Sequence, residues 1–330
     1  MENTDENDET AANLGSQTEE AGDGELSINY YLESVKENPN DFRANRNLAV
    51  IYCENYDHAN SLKFYDKCIE LEPQESGLYS ERSVVHMRCK EYDAATRDLE
   101  MALGLQPDDP YVFANFGELY REQGDLAKAI ENYRKCMILK PNFTEVAEVL
   151  WESAIEYGVE MFRESNWERT ISYYSIAIEI EPTFELCRDR GVAYSELGEI
   201  DHALTDYNQA IALNIENFEA YLDRGKLYRR AKNYVEAIKD FDKATEIDPT
   251  NVEGFRNRGV TYKLMREYHL ALADLNRAYE LDPENHRVLT DRGNTYRRAG
   301  LQMKARTDYL AALKVNPEYE RAQIGLGKLA

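Results

Sequence analysis

Five arginines are each followed, sixteen residues on, by an aspartate: Arg82 with Asp98, Arg190 with Asp206, Arg224 with Asp240, Arg258 with Asp274, and Arg292 with Asp308. At the matching positions of three further segments both are missing, and Leu48, Phe116 and Tyr157 are followed by Phe64, Asn132 and Tyr173. Residue types that come and go together share a task. A planar guanidinium fork opposite a carboxylate makes a two-point ion pair, and inside folds such pairs fix register more often than they perform catalysis. The spacing therefore predicts an ion pair between paired helices or adjacent units. Other reactive groups are scarce. His58, His86, His202, His269 and His286 are scattered and the five cysteines lack metal-ligand spacing, so no catalytic residue, metal ligand or cofactor is expected. Gly325-Leu326-Gly327-Lys328 has the outline of a phosphate loop, but its second glycine belongs to a longer series.

That series is what positions the pairs. Gly191, Gly225, Gly259, Gly293 and Gly327 stand 34 residues apart, and three residues after the first four comes Tyr194, Tyr228, Tyr262 or Tyr296. Alanines recur in phase at Ala203, Ala237, Ala271 and Ala305, and prolines close successive units at Pro39, Pro73, Pro107 and Pro141 and again at Pro182, Pro249, Pro283 and Pro317. Small residues at helical spacing, broken by short polar loops such as Lys232-Asn233, read as pairs of short helices. Glycine and alanine let the two helices approach, aromatic rings fill the space beside them, and proline ends the second helix because it has no amide donor. Tyr228 is expected to be buried against its own hairpin. Eight units are predicted to begin near Phe42, Ser76, Pro110, Trp151, Phe184, Phe218, Val252 and His286. A half unit from about Ser27 to Glu37 precedes them and a capping helix from Glu320 to Ala330 follows.

The signature resembles the tetratricopeptide repeat, with Tyr221, Gly225, Tyr228, Ala237, Phe241, Ala244 and Pro249 filling one copy of it. The resemblance implies an all-α fold, an α-solenoid of about eight tetratricopeptide helix hairpins forming a right-handed superhelix, stabilised by stacking because no hairpin buries enough surface alone. Residues 1–26 are expected to be a disordered acidic tail, residues 27–141 a half unit and three repeats, residues 142–150 an inserted joint, and residues 151–330 five repeats and the cap. The joint carries seven additional residues, close to two helical turns, so it can lengthen a helix with little rotation of its apolar face.

Charge divides the chain unevenly. The formal net charge is −23, yet residues 184–330 hold 23 basic against 24 acidic residues, so the acidity is almost wholly N-terminal. Met1 to Leu26 has nine carboxylates and no lysine or arginine, too polar to offset the entropy of ordering. No apolar stretch approaches a membrane span and no secretory signal opens the chain, so no membrane partner and a cytoplasmic location are expected. Cys68 and Cys136 occupy alanine positions and Cys187 an aromatic one, as small buried residues in a reducing compartment. Overall acidity argues against nucleic acid as a partner.

In the resembling family the first helix of each unit faces ligand through its second, fifth, ninth and twelfth or thirteenth sites. Carried onto this sequence, those sites hold Lys226, Arg229 and Arg230, then Arg256 and Lys263, then Arg287, Asn294, Arg297 and Arg298. The sixth site adds a polar ladder, Asn47, Glu81, Asn115, Glu156, Asp189, Asp223, Asn257 and Asp291, able to bond an extended peptide backbone. Lys226, Arg229 and Arg230 share one helix face by spacing, as do Asn294, Arg297 and Arg298. The family's clamp for the acidic C-terminus of heat-shock chaperones is not completed: its positions in the first three units hold Arg46, Val50, Glu81, Tyr111 and Asn115. The implied function is a non-enzymatic protein-interaction scaffold that binds a protein or extended peptide, acidic segments being favoured by the C-terminal units. The alternative is a targeting or regulatory subunit of an enzyme complex whose activity lies in another chain.

Overall fold

A computed structural model describes residues 24–329, and the expected tail up to residue 23 lies outside them. Among the described residues there are eighteen α-helices and no strands. They divide into two compact units, one ending at Tyr157 and the other beginning at Gly158.

In the first unit α1 (Gly24–Glu37) starts three residues before its expected position, packs on the first of three hairpins and is followed by all three. These are α2 (Phe42–Glu54) with α3 (His58–Leu71), α4 (Ser76–Arg88) with α5 (Tyr92–Leu105), and α6 (Pro110–Glu122) with α7 (Leu126–Leu139). Then comes α8 (Thr144–Arg163), twenty residues long where α2, α4 and α6 have thirteen. The seven additional residues are thus taken up as further helical turns. The second unit holds the end of α8, then α9 (Trp167–Ile180), α10 (Phe184–Leu197) with α11 (Ile200–Leu213), and α12 (Phe218–Arg230) with α13 (Tyr234–Ile247). It continues through α14 (Val252–Leu264) with α15 (Tyr268–Leu281) and α16 (His286–Arg298) with α17 (Gln302–Val315) to the terminal α18 (Glu320–Gly327).

Seven of the eight expected unit starts coincide with the first residue of a helix. Capping chemistry explains the sharpness: the side chains of Asp41, Asn217, Asn251 and Asn285 accept hydrogen bonds from the backbone N–H groups of Ala44, Ala220, Gly254 and Val288. Pro110 occupies the first turn of α6, where its missing donor is no loss. Each hairpin turn contains one left-handed residue, Gly124, Gly198 and Gly300 in three cases and Tyr56, Lys90, Ser165, Lys232 and Arg266 in the other five.

The core is a row of glycine–ring contacts. A Cβ placed on Gly191, Gly225 or Gly293 would stand 2.9, 2.7 or 2.8 Å from the ring of Tyr207, Phe241 or Tyr309, each sixteen residues later on the partner helix. The rings are buried: Tyr207, Phe241 and Tyr309 expose at most 2%. Tyr228 differs from its expectation. It packs against the cluster of Tyr221, Leu222, Ala237 and Phe241 in its own hairpin but is only half-buried, because the space against Gly225 is taken by Phe241. Cys68, Cys136 and Cys187 are free, buried thiols.

All five arginine–aspartate pairs form, within single hairpins. In each, Nε and Nη2 of the arginine donate to the two carboxylate oxygens of an aspartate that is at most 7% exposed. The guanidinium also has a third arm. Nη1 donates to the second helix of the preceding hairpin: Arg82 to Asp66, Arg224 to Asn208, Arg258 to Asp242 and Arg292 to Asn276, with Arg190 reaching Ser175 on α9. One side chain therefore joins three helices.

Candidate functional site

The sequence-predicted ligand face lies wholly in the second unit, on α12, α14 and α16, and the structure sorts its ten residues into two groups. In the first, the cations are engaged by the protein itself. Lys226 Nζ donates to Asp223 Oδ1 at 2.9 Å, one turn back on α12. Arg229 Nη1 donates to Asn257 Oδ1 at 2.8 Å, tying α12 to α14, and Arg230 reaches Ser195 Oγ on α10 at 3.2 Å. Arg256 donates to Glu253 at 2.7 Å and to Asp291 Oδ2 at 2.9 Å. Asn257 is buried, its amide held by the Glu253 carbonyl.

Much of the polar ladder is consumed in the same way. The fifth-site arginine of one unit pairs with the sixth-site acid of the next: Arg46 with Glu81, Arg188 with Asp223, and Arg256 with Asp291. Asn115 likewise donates to Ser80 on the preceding first helix. These rungs fasten units to one another. Asp189, half-buried beside Arg188 and close to Asp223 and Glu219, has its carboxyl raised above the usual range by burial.

The second group is open. Asp291 is 2% exposed, and its Oδ1 meets no hydrogen-bond donor but has Lys263 Nζ and Arg321 Nη2 each at 3.6 Å. Around this buried carboxylate α14, α16 and α18 form a cavity of about 480 Å³. Lys263, Arg266, Asn294, Arg297 and Arg298 line it from α14, its following turn and α16; Arg321 and Lys328 line it from the last helix and the residue after it. No carboxylate is among its lining residues. Asn294 accepts from the Tyr309 hydroxyl at 3.0 Å, which fixes its amide. Arg266, Arg297, Arg298 and Lys328 have no ion-pair partner among the described residues, and Arg297 Nε is buried without an acceptor. Burial holds the Lys263 ammonium below the usual lysine range, with Arg321 and Arg229 pushing the same way against Asp291. Arg287 is exposed at the start of α16, apart from the cavity lining.

The residues missed from sequence are Arg266, Arg321 and Lys328. Arg266 lies in a turn and Lys328 just after the last helix, both outside the first-helix ligand sites, whereas Arg321 is the second residue of the terminal helix and so occupies a second site on a helix read only as a cap. Gly325-Leu326-Gly327-Lys328 is not a phosphate loop: its glycines belong to α18, and a Cβ on Gly325 would meet the Tyr309 ring at 2.5 Å. Among the described residues no group of three potential ligands could hold a metal ion, and no helix is long and apolar enough to cross a membrane.

Residues 188–252 match a family profile described as tetratricopeptide repeat, and residues 111–143 and 257–285 match a second profile of the same description. Over 81 residues the chain is 36% identical to Hsp70-Hsp90 organizing protein 3 of Arabidopsis thaliana, which covers 24% of this chain and 14% of that protein. Over 110 residues it is 28% identical to a probable UDP-N-acetylglucosamine–peptide N-acetylglucosaminyltransferase, SPINDLY, of Hordeum vulgare, covering 33% of this chain and 12% of the relative. The chain thus spans less than a sixth of the length of either relative. A solved structure, the TPR2AB-domain complex of yeast Sti1 with pHSP90, aligns at a TM-score of 0.46 and 21% identity over 80% of this chain and 98% of that one. Glycine–ring contacts at a 34-residue period, helix hairpins stacked within each unit and the profile matches agree: the repeating unit of this chain is the tetratricopeptide repeat.

Proposed function

We propose that the chain is a non-enzymatic scaffold that binds a protein or an extended peptide, and that its last two hairpins and terminal helix favour an acidic segment. The observation that carries this reading is the group of cations around the α14–α16–α18 cavity whose charge the protein leaves unpaired. Elsewhere on the same face Lys226 and Arg256 are matched to carboxylates and Arg229 and Arg230 are held by Asn257 and Ser195, so an unmatched group marks the place where an external anion gains most. The chaperone-peptide clamp is a poor description of this protein, since Arg46 is committed to Glu81 and tyrosine stands at position 111. Binding of a polyglutamate peptide to the full chain tests the reading. Arg297→Glu with Arg298→Glu should weaken binding at least tenfold at low salt, and the difference should shrink as salt screens the charges. Equal binding by the wild-type and substituted chains would remove the proposal. The similarity to a probable peptide glycosyltransferase keeps a second reading, a targeting or regulatory part of an enzyme complex whose activity lies in another chain. Co-purification of a catalytic activity with the native protein tests that one.

A further inference from the structure

We propose that the α14–α16–α18 cavity is a receptor for a phosphorylated side chain carried by a partner protein. The inference rests on the scaffold reading above and names the charged group that the scaffold holds. Three observations carry it.

The first is a surplus of charge in one half-open cavity. Lys263, Arg266, Arg297, Arg298, Arg321 and Lys328 line a single cavity, and the Asp291 carboxylate beside Lys263 and Arg321 is already shared by Arg256, Lys263 and Arg321. One carboxylate ligand would answer one of these charges. A phosphate ester brings about −1.5 to −2 charges and three acceptor oxygens, and so can satisfy several donors at once.

The second is donor geometry. Four of the six cations are arginines, whose forks match phosphate oxygens two at a time. The guanidiniums of Arg266, Arg297 and Arg298 make no ion pair that an incoming anion would have to break.

The third is preorganisation. Asp291 is buried with Oδ1 lacking a hydrogen bond, and it holds Lys263 and Arg321 by charge at 3.6 Å, so their N–H donors remain available to a ligand. Lys263 is held below its ordinary range by burial beside other cations, a penalty that a bound dianion relieves. Leu264 and Ile324 supply an apolar rim suited to the methylene of a phosphoserine.

The test uses the full chain and a labelled glycine–serine peptide in three forms, with one phosphoserine, with glutamate at that position, and with serine. Fluorescence anisotropy at low salt should show the phosphorylated form binding at least tenfold more tightly than the glutamate form, with inorganic phosphate competing. Arg266→Glu with Arg298→Glu, both exposed, should abolish the preference, and Lys328→Glu at the chain's end gives an independent reversal should that pair unfold the repeat. Equal affinity for the phosphoserine and glutamate forms, with polyglutamate still bound, overturns the phosphate receptor and leaves the acidic scaffold. Failure of every anionic peptide to bind removes both. Competition by single-stranded oligonucleotide as effective as that by the phosphopeptide overturns the inference in favour of nucleic acid.

Discussion

Arg258 and Asp274 lie on the two helices of one hairpin, and Nε and Nη2 of the arginine reach the two carboxylate oxygens at 2.9 and 2.6 Å while Nη1 bonds Asp242 of the hairpin before. The aspartate has little access to water. Removing the arginine alone leaves a buried carboxylate unpaired, so Arg258→Ala should cost about 3 kcal/mol. Leucine at both positions should cost less than half of that. A double-mutant cycle by urea denaturation checks this, and a coupling near zero would refute it.

Phe241 and Tyr228 should separate by burial. Phe241 fills the space above Gly225, so Phe241→Ala should cost about 3–4 kcal/mol through a cavity, whereas the half-buried Tyr228→Ala should cost roughly half as much. Gly225→Ala should also destabilise, because its Cβ would stand 2.7 Å from that ring. Thermal melts of the three variants give the order.

Lys232 has a φ of 62°, where the matching turns at Gly198 and Gly300 use glycine. A side chain in the left-handed region costs about 1 kcal/mol. Lys232→Gly should therefore raise stability by up to about that amount, and Gly198→Ala should lower it. A Lys232→Gly chain that melts earlier than wild type would contradict the turn geometry.

The cysteines should react in a fixed order with a thiolate-seeking reagent. Burial pushes the thiols of Cys136 and Cys187 up to about 11 and that of Cys68 to about 12, so at neutral pH they are protonated as well as covered. Cys89 is partly exposed. Mass spectrometry after brief alkylation of the native chain should find Cys89 modified ahead of those three, and raising the pH to about 9 should not reverse that order.

Repeat phase was legible because packing writes it into residue size: a glycine at one position and a ring sixteen later cannot both vary without a clash or a hole, as Gly293 and Tyr309 illustrate. The ion pairs were legible because both partners change together. Their third arm was not, since its acceptor varies between Asp66, Ser175, Asn208, Asp242 and Asn276, and any short polar group will serve. The ligand face was half legible. Sequence placed Arg297 and Arg298 beside Asn294, but could not foresee that Arg229 would turn to Asn257 or that Lys263 would point at Asp291, because those partners are set by distances between helices 28 residues apart.

The third arm of these arginines also bears on how the protein responds to mechanical load. From α9 to α16 every junction between successive hairpins carries a directional clasp, Arg190 to Ser175, Arg224 to Asn208, Arg258 to Asp242 and Arg292 to Asn276. Such bonds resist sliding up to a threshold and then let go, whereas greasy contact yields gradually. In the first unit the junction entering α6 has Phe116 where the arginine would stand, and holds through apolar contact and the Asn115–Ser80 hydrogen bond instead of a guanidinium clasp. Pulled from its two ends, the chain should therefore creep first at junctions without the arginine, such as that at Phe116, while the four clasped junctions release in discrete, evenly spaced steps that optical tweezers can count.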